Sequence, residues 1–182
     1  MLKPAKMYED EIRRLNAEIM FDLDFMYAET RSWREDASLQ NDTWNRHEFA
    51  SVSENNEVVG LMDYSIDRDS RMCYGLQIIN FKKNSLSTTF GKDLNQLFCD
   101  IFLKFKFRKI KFGVIVGNPA EKFYDKYIEK IGGRIVGTYE KDNILMDGEL
   151  YDFKAYEVLD KHFLNAYFAN EGNFSGGGKH GN

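Results

Sequence analysis

The chain has 182 residues, enough for one well-buried core and short for two. Its net charge of −4 argues against a protein that coats nucleic acid, which would be basic. It has only two cysteines, too few for a disulfide scaffold or a cysteine zinc site, and no apolar run approaches the ~20 residues that span a bilayer.

Aromatic residues make up 15% of the chain, mostly Phe and Tyr, so large rings are expected to dominate the core. Cys73 and Cys99 fall inside apolar-periodic segments and read as buried, inert thiols of a reducing compartment. Residues 1–11 lack the apolar centre of a signal peptide. The expectation is a cytoplasmic protein that engages neither membrane nor nucleic acid.

Tyr8, Ile12, Leu15, Ile19, Leu23 and Met26 follow helical spacing, which predicts one helix over 7–28, or two broken near Asp22 and Asp24. Residues 30–46 are polar, with Trp33, Leu39 and Trp44 as separate anchors and no legible period. From Glu48 the period changes: 49–53, a polar turn at Glu54–Asn56, and 57–66 predict a β-hairpin. A turn at 67–70 and a third strand over 72–81 follow. Phe90, Leu94, Leu97, Phe98, Ile101, Phe102 and Phe105 mark an amphipathic helix over 90–105. Residues 108–116 are dense in β-branched side chains and predict a buried strand.

The next helix has the strongest start signal. Asn118 is placed to cap it, Pro119 takes its first position, and Glu121 stands where a capping-box acid belongs. Its stripe is Phe123, Tyr127 and Ile131, with Tyr124 and Ile128 beside them, and Gly132-Gly133 supplies the stop. Two last strands, 134–140 and 150–159, flank a turn at Asp147-Gly148. The expected fold is α/β (α+β): one domain over 1–160, built on a mixed sheet. Residues 161–182 are read as a C-terminal extension whose Gly-rich end, from Gly172, is expected to be disordered.

This element order, together with the run Gly117-Asn118-Pro119-Ala120-Glu121-Lys122-Phe123-Tyr124, Tyr127 and Gly132-Gly133, resembles the GNAT superfamily of N-acyltransferases. The resemblance runs from about Lys3 to Leu159. Lys3-Pro4-Ala5 is similar to the family's short first strand, and Asp147 through Tyr156 to its last hairpin. The resemblance implies a strongly twisted sheet splayed between 72–81 and 109–116, with acetyl-CoA entering the splay. It places Asn118 beside the CoA arm and Tyr124 near the sulfur as general acid. Backbone N–H groups near Ile79–Phe81 would polarise the thioester carbonyl. The pyrophosphate would sit on the segment Ser87, Thr88, Thr89, Gly91 and Lys92, where N–H groups at a helix N-terminus suit an anion. An amine, of a small molecule or a protein, would attack the thioester directly. The sequence leaves room for a homodimer.

The chain departs from the family in two respects. The family's pyrophosphate loop usually reads Arg/Gln-x-x-Gly-x-Gly/Ala, whereas 82–92 contains one glycine, and 72–81 has no acidic residue to serve as base. Asp63, Tyr64 and Asp67 are the base candidates that remain. Tyr124 also reads as a core tyrosine with a satisfied hydroxyl, Asn118 as a helix cap, and Thr88-Thr89 as an ordinary cap. The basic run Lys104, Lys106, Arg108, Lys109 and Lys111 reads as a solvated face. The alternative to an enzyme is a GNAT-like scaffold that has lost the cofactor, for which a loop filled by Leu86 or Phe90 would be the sign. No metal-ligand spacing, Gly-x-Ser-x-Gly elbow or phosphate-binding Gly-x-x-x-x-Gly-Lys-Ser/Thr loop is present.

Overall fold

A computed structural model describes residues 1–20, 22–27, 39, 43–82 and 88–169. The strands are β1 (Leu2–Pro4), β2 (Arg46–Val52), β3 (Val58–Asp67), β4 (Met72–Asn80), β5 (Lys109–Ile115), β6 (Arg134–Ile144) and β7 (Leu150–Leu159). The α-helices are α1 (Glu9–Ile19), α2 (Thr88–Cys99), α3 (Glu121–Lys130) and α4 (Asp160–Ala169). All seven strands form one sheet in the order β1-β2-β3-β4-β5-β7-β6. Only β4 and β5 run parallel; the remaining pairs are antiparallel.

The two sheet faces carry separate cores. Ala50, Val52, Val58, Leu61, Ile79 and Phe81 face α1, through Ile12 and Ile19. The other face packs Met62, Tyr64, Ile110, Phe112, Tyr156 and Val158 against α2, α3 and α4. Alternation along each strand sends one set to each side, and the register shift at Ser51/Val52, which leaves Val59 extra on β3, puts Val58 on the same side as Leu61.

The long N-terminal helix ends at Ile19, and a short 3-10 turn, Leu23–Phe25, follows. The Asp22 side chain accepts the Asp24 N–H at 3.0 Å and so starts that turn, which is the break expected near these two acids. α2 continues as one π-helical turn, Asp100–Lys104, closed by the Phe105 N–H on the Asp100 carbonyl at 2.8 Å. α3 ends in a Schellman motif: Gly133 N–H reaches Ile128 O, Gly132 N–H reaches Glu129 O, and Gly132 has φ +76°. The last helix, α4, was not foreseen. Its Phe163 is fully buried and stacks on Phe102 at 4.6 Å, so part of the core lies beyond Leu159.

Among the described residues no helix is long and apolar enough to cross a membrane, and no three His, Cys, Asp or Glu side chains gather as a metal-ligand set.

Candidate active site

The site begins with a failure of strand pairing. β4 and β5 pair only at Met72–Tyr74 against Lys109–Lys111. Beyond Tyr74, β4 bulges: in its register with β3, Gly75 and Leu76 both fall opposite Tyr64, and Gly75 has φ +61°. A bulge of this kind bends its strand, and a left-handed residue at its head favours glycine. The two parallel strands therefore part toward their C-terminal ends. Parallel strands end on the same side, so the segments leading to α2 and α3 both leave from the open end of the gap.

Hydrogen-bond alternation decides which groups face that gap. The Phe81 N–H donates to Val59 O at 3.0 Å, so Phe81 is turned toward β3. Bonded pairs recur every second residue in an antiparallel ladder, which turns Ile79 the same way and aims the Ile78 N–H at the gap. Of the stretch expected to supply donors, Ile79 and Phe81 turn their N–H groups to β3, while Asn80, like Ile78 before it, turns its N–H to the other edge. On β5 the same logic applies. The Val116 N–H donates to Asp152 O at 2.9 Å, so Gly113 and Ile115 carry their polar groups toward the gap.

A cavity of about 440 Å³ fills the gap. Its walls include Leu76, Gln77, Ile78, Ile79, Phe112, Gly113 and Val114, with Asn118 and Tyr124 from the α3 segment and Tyr139, Phe153 and Tyr156 from the last hairpin. Gly113 is needed where Phe153 lies: a Cβ there would collide with the Phe153 ring and stand 2.5 Å from Lys154 O.

Tyr124 is packed edge-on to Phe112 and to Phe123, at 6.4 and 5.6 Å between ring centroids. Its hydroxyl has no hydrogen-bond partner among the described residues. Neighbouring tyrosines differ. Tyr127 donates to Asn95 Oδ1 at 3.2 Å, Tyr156 to Asp125 Oδ1 at 2.7 Å, and Tyr64 meets His47 Nδ1 at 2.7 Å. Burial pushes the Tyr124 phenol well above its ordinary pKa, so it keeps its proton across the neutral and alkaline range.

Asn118 lies two residues ahead of the helix cap position, Ala120. The α-helix begins at Glu121, and Asn118, Pro119 and Ala120 form a turn ahead of it. The Asn118 Oδ1 accepts the Ala120 N–H at 2.8 Å, and Glu121 reaches back to the Gly117 N–H at 2.9 Å. The capping chemistry is present, displaced by the extra turn, and Asn118 borders the cavity.

Of the expected phosphate-binding segment, Ser87 lies outside the described residues, as does Leu86. Thr88 opens α2 and is exposed. Thr89, Gly91 and Lys92 border a separate groove beside α2, lined also by Val52, Asn95 and Tyr127. Structure thus brings Ile79, Asn118 and Tyr124 to one cavity and turns Thr89, Gly91 and Lys92 to another flank of α2. Phe90, the side chain that could have blocked the gap, is buried over Gly60 and is not among the cavity walls.

The base candidates stand apart from the cavity. Asp63 is buried in an ion pair with Arg46. Tyr64 is fully buried against His47. Asp67 receives the Ser70 N–H at 3.0 Å in a turn, and lines a neighbouring groove that shares Tyr74 and Lys111 with the cavity. The cavity carboxylate that sequence reasoning missed is Glu157, held by Lys109 and by Arg134 at 2.6 Å. Those two cations keep its carboxyl below the usual range, so it is a paired anion rather than a base. Gly75 was also missed; a lone glycine inside a strand pattern is the signal that marks such a bulge.

No family model matches the sequence, and no curated protein matches it in sequence. Solved structures do match in fold. The spermidine/spermine N-acetyltransferase SpeG from Vibrio cholerae, in complex with manganese ions, superposes with TM-score 0.58 at 22% identity, over 68% of this chain and 70% of that one. A point mutant of the same SpeG gives 0.56 at 21%, over 86% and 78%. A chimera of SpeG from Vibrio cholerae and hSSAT gives 0.57 at 21%, over 86% and 82%. The chain therefore has the GNAT-type acetyltransferase fold, a mixed sheet opened between its two parallel strands.

Proposed function

We propose that this protein is an N-acetyltransferase that moves an acetyl group from acetyl-CoA directly to an amine. The observation that carries this reading is the half-buried Tyr124, whose hydroxyl no described residue hydrogen-bonds, at the edge of an open cavity between two parallel strands. The fold's likeness to acetyltransferases supports the same chemistry.

The cavity fits an acyl-CoA arm in kind. Its apolar walls, Leu76, Ile78, Phe112 and Val114, suit an acyl chain and thioester. The strand edges at Ile78 and Gly113 offer backbone groups to the amides of the arm and to the thioester oxygen. The N–H groups at the N-terminus of α2 would hold the pyrophosphate, as a helix N-terminus suits an anion. Asn118 would border the arm on the α3 side.

In the reaction the amine nitrogen attacks the acetyl carbonyl carbon and the carbon–sulfur bond breaks. Tyr124 gives its proton to the departing sulfur and recovers one from water. The nitrogen releases its own proton to water, leaving an amide and a free thiol. Tyr124 is suited to this because its hydroxyl has no competing acceptor among the described residues.

The acceptor is an amine of a small molecule or of a protein. Spermidine and spermine are the first to test, because structures of similar fold act on them. The scaffold reading would be favoured by a loop filled by Leu86 or Phe90; Phe90 packs over Gly60, and Leu86 lies outside the described residues. The test is release of CoA thiol from acetyl-CoA across a panel of polyamines, aminoglycosides and lysine peptides, with products weighed by mass spectrometry. An acetylated amine is the expected result. No product with any amine, together with no rise in melting temperature at millimolar acetyl-CoA, overturns the reading.

A further inference from the structure

Behind the cavity, one lysine joins α3 to β7. Lys154 is mostly buried, and its Nζ lies between two carboxylates of α3, Glu121 and Asp125, the latter at 3.1 Å. Four residues apart, these acids share one face of the helix. Asp125 also accepts the Tyr156 hydroxyl at 2.7 Å, and Glu121 accepts the Gly117 N–H at 2.9 Å. The network therefore ties three things together: the turn before α3, the first two turns of α3, and strand β7. The two carboxylates raise the proton affinity of Lys154, so the bridge stays charged.

Tyr124 adjoins Asp125 in the helix. Its ring rests on Phe112, which in turn lies against Tyr156 at 5.4 Å between centroids. α3 is thus held to β5 by rings and to β7 by charge, and Tyr156 touches both sets. Tyr124's hydroxyl stands at the end of a long side chain, so a small rotation of α3 is amplified there.

We propose that Lys154 is the positioning residue of Tyr124: it touches no reacting atom and fixes the rotation of α3 that holds the hydroxyl at the thioester. The inference rests on the acetyltransferase reading. Partly exposed ion pairs contribute little to stability, whereas small misplacements of a reacting group cost much in rate. A positioning role therefore predicts a split between turnover and stability.

The experiment is a double-mutant cycle on Lys154→Met and Tyr124→Phe, with Lys154→Arg as the conservative variant. It is read by CoA release from acetyl-CoA with the best amine of the panel. Lys154→Met is expected to lower kcat roughly 10-fold or more, with KM for acetyl-CoA within about twofold, and Lys154→Arg to restore most of it. In the Tyr124→Phe background Lys154→Met should add less than about twofold, because its partner in function is gone. A full additive loss in that background, or an unchanged kcat in the single variant, overturns the inference while leaving the acetyltransferase reading intact. Wild-type turnover in Tyr124→Phe overturns the general-acid role and this inference with it. If Lys154→Met fails to fold, Glu121→Gln removes one arm of the same bridge at constant size and replaces it in the cycle.

Discussion

The Tyr124 ring meets Phe112 edge-on, 6.4 Å between centroids and 73° between planes, and this contact directs the tyrosine toward the gap between β4 and β5. Phe112 is itself buried on β5, so the phenol is seated by the strand that forms one wall of the cavity. Replacing Tyr124 by Phe keeps that packing and removes only the hydroxyl. Because the hydroxyl bonds to nothing among the described residues, the melting temperature of Tyr124→Phe should match wild type. Affinity for acetyl-CoA should hold too, since the loss lies in the transition state. Turnover should fall by about 100-fold, within the range of general acid–base catalysis. Steady-state kinetics beside a thermal melt separate the two effects.

Tyr156→Phe is the contrasting variant. Its hydroxyl donates to Asp125 from a fully buried position. Losing that bond should destabilise the fold by about 1–2 kcal/mol, a hydrogen bond to a charged acceptor. Urea unfolding measures it; a stability equal to wild type would show that Asp125 is satisfied by Lys154 alone.

Thr88→Pro tests the cradle at α2. Proline is tolerated at a first helical position, so the fold should survive. The variant lacks one N–H at the helix N-terminus. Acetyl-CoA should bind more weakly to it, as read by calorimetry. Equal affinity would move the pyrophosphate away from this helix.

The acid limb of stability follows from Glu157. Lys109 and Arg134 depress its folded pKa, while in the unfolded chain it titrates near the ordinary value of about 4.3. A depressed carboxylate contributes stability that is fully present above the unfolded value and is lost as pH falls through the folded one. Melting temperature should therefore drop below about pH 4, and Glu157→Gln should flatten that drop. A slope identical in the variant would assign the acid sensitivity elsewhere. The raised pKa of Tyr124 has the opposite consequence for rate: the acid stays protonated, so kcat should show no loss from its ionisation below about pH 10.

Much of this architecture could be read from periodicity. The β2–β3 hairpin, β4, α2, β5, α3 and the last hairpin each carry a period or a stop that names them, and Gly132-Gly133 ended α3 as expected. The site was harder to read because it arises from what strands fail to do. No residue pattern announces that β4 leaves β5 after Tyr74; Gly75 does so through one φ angle. Likewise the identity of the inward N–H at Ile78 depends on ladder phase, which is a tertiary property set by Phe81 on Val59. α4 escaped notice because its apolar residues flank a polar face only weakly, and its anchor, Phe163, finds a partner in Phe102, 61 positions earlier. Tyr124 could be named from its motif, but that no described residue bonds its hydroxyl could not.

The most direct measurement is calorimetric titration of the wild-type protein with acetyl-CoA, repeated on Tyr124→Phe. Saturable one-to-one binding is expected for both, with affinities within about twofold, since the tyrosine proton acts after binding. Heats indistinguishable from dilution at millimolar acetyl-CoA in the folded wild-type protein would contradict the claim that the gap between β4 and β5 is an acyl-CoA site.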